Sequence, residues 1–120
     1  MKILVADDSS AMRMMVMRTL RQAGIDAGDV SQAEDGAIAL DMIRDDEPDL
    51  VLCDWNMPNM TGIELLTTLR EEGIDVTFGF ITTETGNALR SQATDAGASF
   101  MITKPFTVEA FEKVLDHIGG

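Results

Sequence analysis

Five polar residues stand directly after short apolar runs, and their chemistries complement one another. Asp7 and Asp8 follow KILVA (2–6), Asp54 follows DLVLC (49–53), Thr82 closes TFGFIT (77–82), and Lys104 follows SFMIT (99–103) and precedes Pro105. Carboxylates brought together raise one another's proton affinity at neutral pH unless a cation joins them. Mg2+ suits such a set, being hard, oxygen-seeking and content with two or three protein oxygens plus water and phosphate. Asp7, Asp8 and Asp54 would supply side-chain ligands, and the backbone carbonyl of Asn56, two residues beyond Asp54, another. A carboxylate that the metal does not fully engage can attack phosphorus and form an aspartyl phosphate. The equatorial oxygens of the transferring group then need neutralising. Mg2+ would take one, the Lys104 ammonium another, and the Thr82 hydroxyl or nearby amides a third. Thr82 is favoured over Thr83 by its spacing to Glu84, since adjacent strand-end residues face opposite ways.

These residues meet only if the runs before them are parallel strands that end along one edge. The runs 2–6, 49–53, 77–82 and 99–103 are compact and apolar, and 29–33 (DVSQA) is a weaker fifth. Segments with helical periodicity lie between them, at 10–23, 36–46, 62–72, 87–96 and 107–118. The first carries Met12, Met15, Val16, Leu20 and Ala23 on one face, and the second Ile38, Ala39, Met42 and Ile43. Ser9 or Ser10 caps the first helix, and Gly24, Gly73 and Gly97 end the first, third and fourth. Continuously apolar strands alternating with helices predict an α/β fold with a parallel sheet covered on both faces. Five βα units are too few for an eight-stranded barrel. They predict an open, doubly wound, flavodoxin-like sheet with strand order 2-1-3-4-5, which binds ligands at the carboxyl ends of its strands. Glu34 and Asp35, from the second strand, fall off-centre. Gly79 inside the fourth strand marks close backbone packing.

Composition narrows the function classes. The 120 residues include 21 acidic and 9 basic side chains, for a net charge of −12, and 45% are hydrophobic. Direct nucleic-acid binding needs clustered Lys and Arg and is disfavoured. The single cysteine, Cys53, lies inside an apolar run, so it reads as a buried inert thiol in a reducing compartment. The start MKILVADDSS is too short for a signal-peptide core, and no run is long enough to span a membrane. A cytoplasmic protein is expected. The nine methionines fall mostly on helical core stripes, Met14 and Met17 excepted. His117 reads as a peripheral surface histidine. Trp55, beside Asp54, reads as a reporter and gate and not as core.

Four elements, VADDSS, CDWNMPNMTG, FITTET and TKPF, stand in this order across the chain. In this it resembles the receiver domains of two-component response regulators over its whole length, and is most like their stand-alone chemotaxis members. The resemblance implies a single receiver domain over residues 1–120, with Asp54 as the phosphoacceptor. Asp7 and Asp8 would organise Mg2+, Thr82 would be the switch hydroxyl, and Lys104 the lysine that contacts the phosphoryl group. Lys104–Pro105 would be cis, and Asn56 and Glu84 would tune dephosphorylation. The donor would be a phosphohistidine on a sensor histidine kinase. The switch would catalyse only its own phosphorylation and dephosphorylation, and would not be an enzyme acting on outside substrates. Output would pass to a downstream protein through the face built by the fourth helix, fifth strand and fifth helix. The switch position that is commonly aromatic in the family is Met101 here, with Phe100 pointing to the opposite side of the sheet. The fifth strand lacks the charged residue of regulators that dimerise through this face, so a monomer is expected.

Three other readings compete. The chain could be the receiver part of a longer DNA-binding regulator, although it stops at Gly119-Gly120 directly after the last helix, as a stand-alone protein would. A Mg2+-dependent aspartyl-phosphate phosphatase of the haloacid-dehalogenase kind would need Asp-x-Asp, and here the second position is Asn56. A flavin site would need a Ser, Thr or Gly phosphate loop after the first strand, where Asp7 and Asp8 would repel the phosphate.

Overall fold

Each central strand in the computed structural model divides its side chains between two cores. Residues 1–84 and 86–119 are described, without the side chains of residues 27 and 117–119, so the position expected for His117 lies outside the described residues. The elements run β1 (Ile3–Ala6), α1 (Ser10–Gln22), a 3-10 turn (Ala27–Asp29), β2 (Val30–Ala33), α2 (Gly36–Asp45), β3 (Leu50–Cys53), α3 (Gly62–Glu71), β4 (Thr77–Thr82), α4 (Asn87–Ala96), β5 (Phe100–Thr103) and α5 (Val108–Gly119). The strands form one parallel sheet in the order β2-β1-β3-β4-β5, as the α/β pattern predicted. The short 3-10 turn before β2 has no counterpart in the sequence reading.

Strand alternation sorts the core. Ile3, Val5, Leu50, Leu52, Ile81 and Ile102 point to one face, where Val16 and Leu20 of α1 and Phe111 of α5 cover them. Leu4, Ala6, Val51, Cys53, Phe78 and Phe80 point to the other, beneath α2, α3 and α4. Continuous apolar runs are required because both faces are dry. Phe100 packs with the first group and Met101 against the second, the opposite orientation expected of neighbours on a strand.

The helices bury narrower stripes than their apolar residues suggested. On α1 the buried residues are Val16, Thr19 and Leu20. Met15, predicted on this face, is 52% exposed, because it lies roughly a quarter turn from the stripe's centre at 100° per residue. Ile38 of α2 is likewise 39% exposed while Leu40 is buried, since Ile38 projects away from the line through Ala39 and Ile43. Met14, expected off the α1 stripe, is 63% exposed as that reading implies, whereas buried Met57 lies in a loop and on no helical stripe. α3 begins with a reciprocal capping box, Thr61 with Glu64. The Arg70 guanidinium ends α3 differently, donating to the carbonyls of Ile74, Val76 and Gly97 at 2.7, 2.8 and 2.9 Å and so pinning the C-terminal end of α4.

Gly79 shows why β4 carries a glycine. It pairs in register with Phe100, and a Cβ there would come within 2.1 Å of the Phe100 ring. The Gly79→Ala substitution is expected to cost about 1–3 kcal/mol in urea unfolding through overpacking. Combining it with Phe100→Leu should cost less than the sum of the two, because the smaller side chain vacates the contested space.

Candidate functional site

The register places the polar strand ends together. Ala6 pairs with Cys53 and Cys53 with Phe80, so Asp7 and Asp54 emerge side by side at the carboxyl edge while β4 and β5 run slightly further to Thr82 and Thr103. The ladder continues one bond past the strands: the Asp7 amide donates to the Ala33 carbonyl at 3.1 Å and the Asp54 amide to Ala6 at 2.9 Å. Backbone pairing therefore sets the origins of both carboxylates before any side chain contributes.

One oxygen each of Asp7, Asp8 and Asp54 lies within 4.8 Å of the others. Asp7 is buried at 4% exposure and Asp8 is exposed, so the group opens to solvent on one side. Asp7 Oδ1 accepts from the Ser9 amide at 2.9 Å, where Ser9 caps α1, and Arg13 donates to the Asp7 carbonyl at 2.6 Å. Asp54 Oδ1 accepts from the Trp55 amide at 2.9 Å. The Lys104 ammonium stands 3.3 Å from Asp7 Oδ2 and 3.5 Å from Asp54 Oδ1. Its amide donates to the Thr82 carbonyl at 2.9 Å, and the Lys104–Pro105 bond is cis.

One ammonium does not balance three carboxylates. Burial, followed by the charge of Asp7, raises the Asp54 pKa above the usual carboxylate value against the pull of Lys104. The residues present fit a hard divalent cation: all donors are oxygens, they already converge, and the local negative charge is under-compensated. Cys53, fully buried behind Asp54, has its thiol pKa pushed up by burial and by Asp54 and Asp7, which agrees with an inert thiol.

Other expected residues fall as follows. Thr82 is buried at 1% exposure and accepts from the Glu84 amide at 3.1 Å, whereas Thr83 is exposed. The Asn56 side-chain amide donates to Glu84 Oε1 at 2.5 Å, so the two residues expected to tune the site are bonded to each other. Met101 is half-buried on β5. Trp55 corrects the sequence reading: it is 8% exposed and packs on Phe80 with ring centroids 4.7 Å apart, so it belongs to the core and is not a gate. The loop closes on itself through the Gly62 amide and the Trp55 carbonyl, at 3.0 Å, which turns the indole inward.

Asp35 was placed off-centre, and it does not join the three carboxylates. It is buried, its Oδ1 caps α2 through the Ile38 amide at 2.8 Å, and its Oδ2 accepts from Asn59 at 2.8 Å. Those two hydrogen bonds, the backbone one first, hold its pKa below the usual carboxylate value. An Asp-Gly pair opening a helix was the available signal for the cap, but nothing in the sequence pointed to Asn59.

Residues 3–116 match the response regulator receiver domain family. A chemotaxis protein CheY homolog of Campylobacter jejuni is 39% identical, covering 100% of this chain and 93% of that protein. Chemotaxis protein CheY-3 of Vibrio cholerae is 40% identical over 98% of this chain and 91% of its own length. The solved structure of Vibrio cholerae CheY4 superposes with a TM-score of 0.86 at 34% identity, covering 98% of this chain and 97% of that one. The shared family, sheet order and near-complete coverage lead to one conclusion: the chain belongs to the response regulator receiver domains, the phosphorylation-dependent signalling modules of two-component systems.

Proposed function

We propose that the protein is a phosphorylation-activated switch, a single receiver domain over residues 1–120, that accepts a phosphoryl group on Asp54 from a sensor histidine kinase in a Mg2+-dependent reaction. The observation that carries this reading is the contact of Lys104 with both Asp7 and Asp54 beside the three-carboxylate group. When bound, Mg2+ would supply charge neutralisation on a phosphoryl oxygen, held by Asp7, Asp8, Asp54 and the Asn56 carbonyl. An Asp54 oxygen forms a bond to phosphorus as the P–N bond of the phosphohistidine breaks, and the electron pair returns to the imidazole nitrogen. Lys104 stabilises the charge on a second phosphoryl oxygen, and the Thr82 hydroxyl turns toward a third. Hydrolysis later returns the carboxylate, with Asn56 and Glu84 lining the approach of water.

Output would pass through α4, β5 and α5. A cleft of about 220 Å³ opens there between Arg90, Ala93 and Thr94 of α4 and the segment from Ser99 to Met101. Met101, unbranched and adaptable, can repack when Thr82 moves. The relatives named for chemotaxis support a chemotaxis-like role; a protein target, a monomeric state and a cytoplasmic location belong to the same proposal. No helix among the described residues is long and apolar enough to cross a membrane. The phosphatase alternative gains nothing, since Asn56 gives its amide to Glu84 where that mechanism wants an acid.

Incubation with acetyl phosphate and Mg2+ should give a base-labile phosphate on the protein and change Trp55 emission. Asp54→Asn should abolish both, and Lys104→Ala should slow labelling about 100-fold. Absence of any labelled wild-type protein would sink the switch reading, and sustained phosphate release from many small substrates would point to an enzyme instead.

A stability test probes the charge imbalance without phosphate. Because the folded-state pKa of Asp54 is raised, the native protein holds its proton more tightly than the unfolded chain does, and this contribution to stability is lost as pH rises through that window. In metal-free buffer at pH 7, Asp54→Asn should therefore melt above wild type, as the two thermal midpoints will show. The advantage should fade as pH falls below about 4.

A further inference from the structure

The loop between β3 and α3 carries Asp54 at one end and is fixed at the other by a bridge outside the carboxylate group. Asn59 holds a left-handed backbone with φ 66°, and its amide donates to Asp35 Oδ2 at 2.8 Å. The other oxygen of Asp35, Oδ1, caps α2 at the Ile38 amide. A single buried carboxylate thus ties the start of α2 to the turn that follows the acceptor. The two backbones also touch beside it: a Cβ on Gly36 would lie 2.4 Å from the Met60 carbonyl oxygen, so this approach demands glycine. The loop's other anchors are the buried side chains of Trp55 and Met57, the bond from the Gly62 amide to the Trp55 carbonyl, and the bond from the Asn56 side chain to Glu84.

The choice of residue at position 59 is informative. A left-handed backbone is met without strain by glycine and only tolerated by asparagine. Asparagine here adds one thing that glycine lacks, the amide directed at Asp35. Its neighbour in the loop, Asn56, is the residue whose carbonyl is read as a metal ligand, and partners of this outer kind orient the groups that bind metal.

We infer that Asp35 and Asn59 are positioning residues for the loop after Asp54: their hydrogen bond sets where the Asn56 carbonyl stands, and so how tightly the site holds Mg2+. The inference rests on the Mg2+-dependent reading above. Neither residue touches the reacting atoms. Both act through the loop, and α2 becomes part of the acceptor's scaffold.

The test uses Asn59→Gly, which keeps the backbone conformation and removes only the amide, and Asp35→Asn, which keeps one oxygen for the α2 cap but not both acceptors. Mg2+ is titrated into each full-length protein by calorimetry and by Trp55 emission, and the unfolding midpoint is measured in metal-free buffer. The expected result is about 10-fold weaker Mg2+ binding by Asn59→Gly, with its metal-free midpoint close to wild type. The double variant should bind no more weakly than the weaker single variant, because both remove one shared bridge. Wild-type affinity in Asn59→Gly, or a loss of stability without a change in Mg2+ affinity, would overturn the inference while leaving the switch reading intact. A wild-type protein that binds no Mg2+ would overturn that reading and the inference with it.

Discussion

Three carboxylates share one edge of the sheet with a single ammonium, and the rest of the structure is arranged around that imbalance. Bringing like charges this close is unfavourable, and the raised pKa of Asp54 is its signature. The arrangement persists because stronger constraints dictate where the side chains begin. Backbone ladder bonds carry Asp7 and Asp54 past the last strand residues, and two packed cores hold the strands that make those bonds. A fold that leaves negative charge uncompensated at a fixed place favours a cation there.

The restraints on the helices are uneven, and the unevenness matches a division of labour. α2 and α3 sit on large buried side chains, and α3 has a complete capping box. α4 buries only Ala93, has no side-chain cap at Gly86, and is tied at its far end by Arg70 through the Gly97 carbonyl. Few buried contacts and a weak cap are the marks of an element that opens or shifts at low cost. The element next to the proposed output cleft is therefore the one held least firmly, while those that scaffold the acceptor are held most firmly.

Much of the site was legible because its logic is local. Apolar runs that stop abruptly at Asp, Thr or Lys announce strand ends, and alternation with helical segments implies a parallel sheet whose carboxyl ends coincide. Residue types then limit the chemistry, since oxygen donors around one lysine suit a hard cation and phosphate. The misreadings share a cause. Trp55, Met15 and Ile38 were judged by neighbours in the chain, whereas their exposure depends on which direction the packed partners lie. Trp55 leads into an exposed-looking turn, yet the Gly62–Trp55 bond rotates it onto Phe80. Met15 and Ile38 are apolar residues of amphipathic helices, yet they face away from the sheet.

The sequence by itself determined the element order, the parallel sheet and the identity of the charged residues at its edge, because periodicity and strand-end chemistry are written in residues close along the chain. Only the tertiary structure decided which oxygens meet Lys104, that Asn56 is bonded to Glu84, and that Asp35 reaches Asn59. Those contacts join residues 24 to 97 positions apart. Their geometry follows from strand register and helix docking, which no stretch of sequence specifies until the whole sheet is packed.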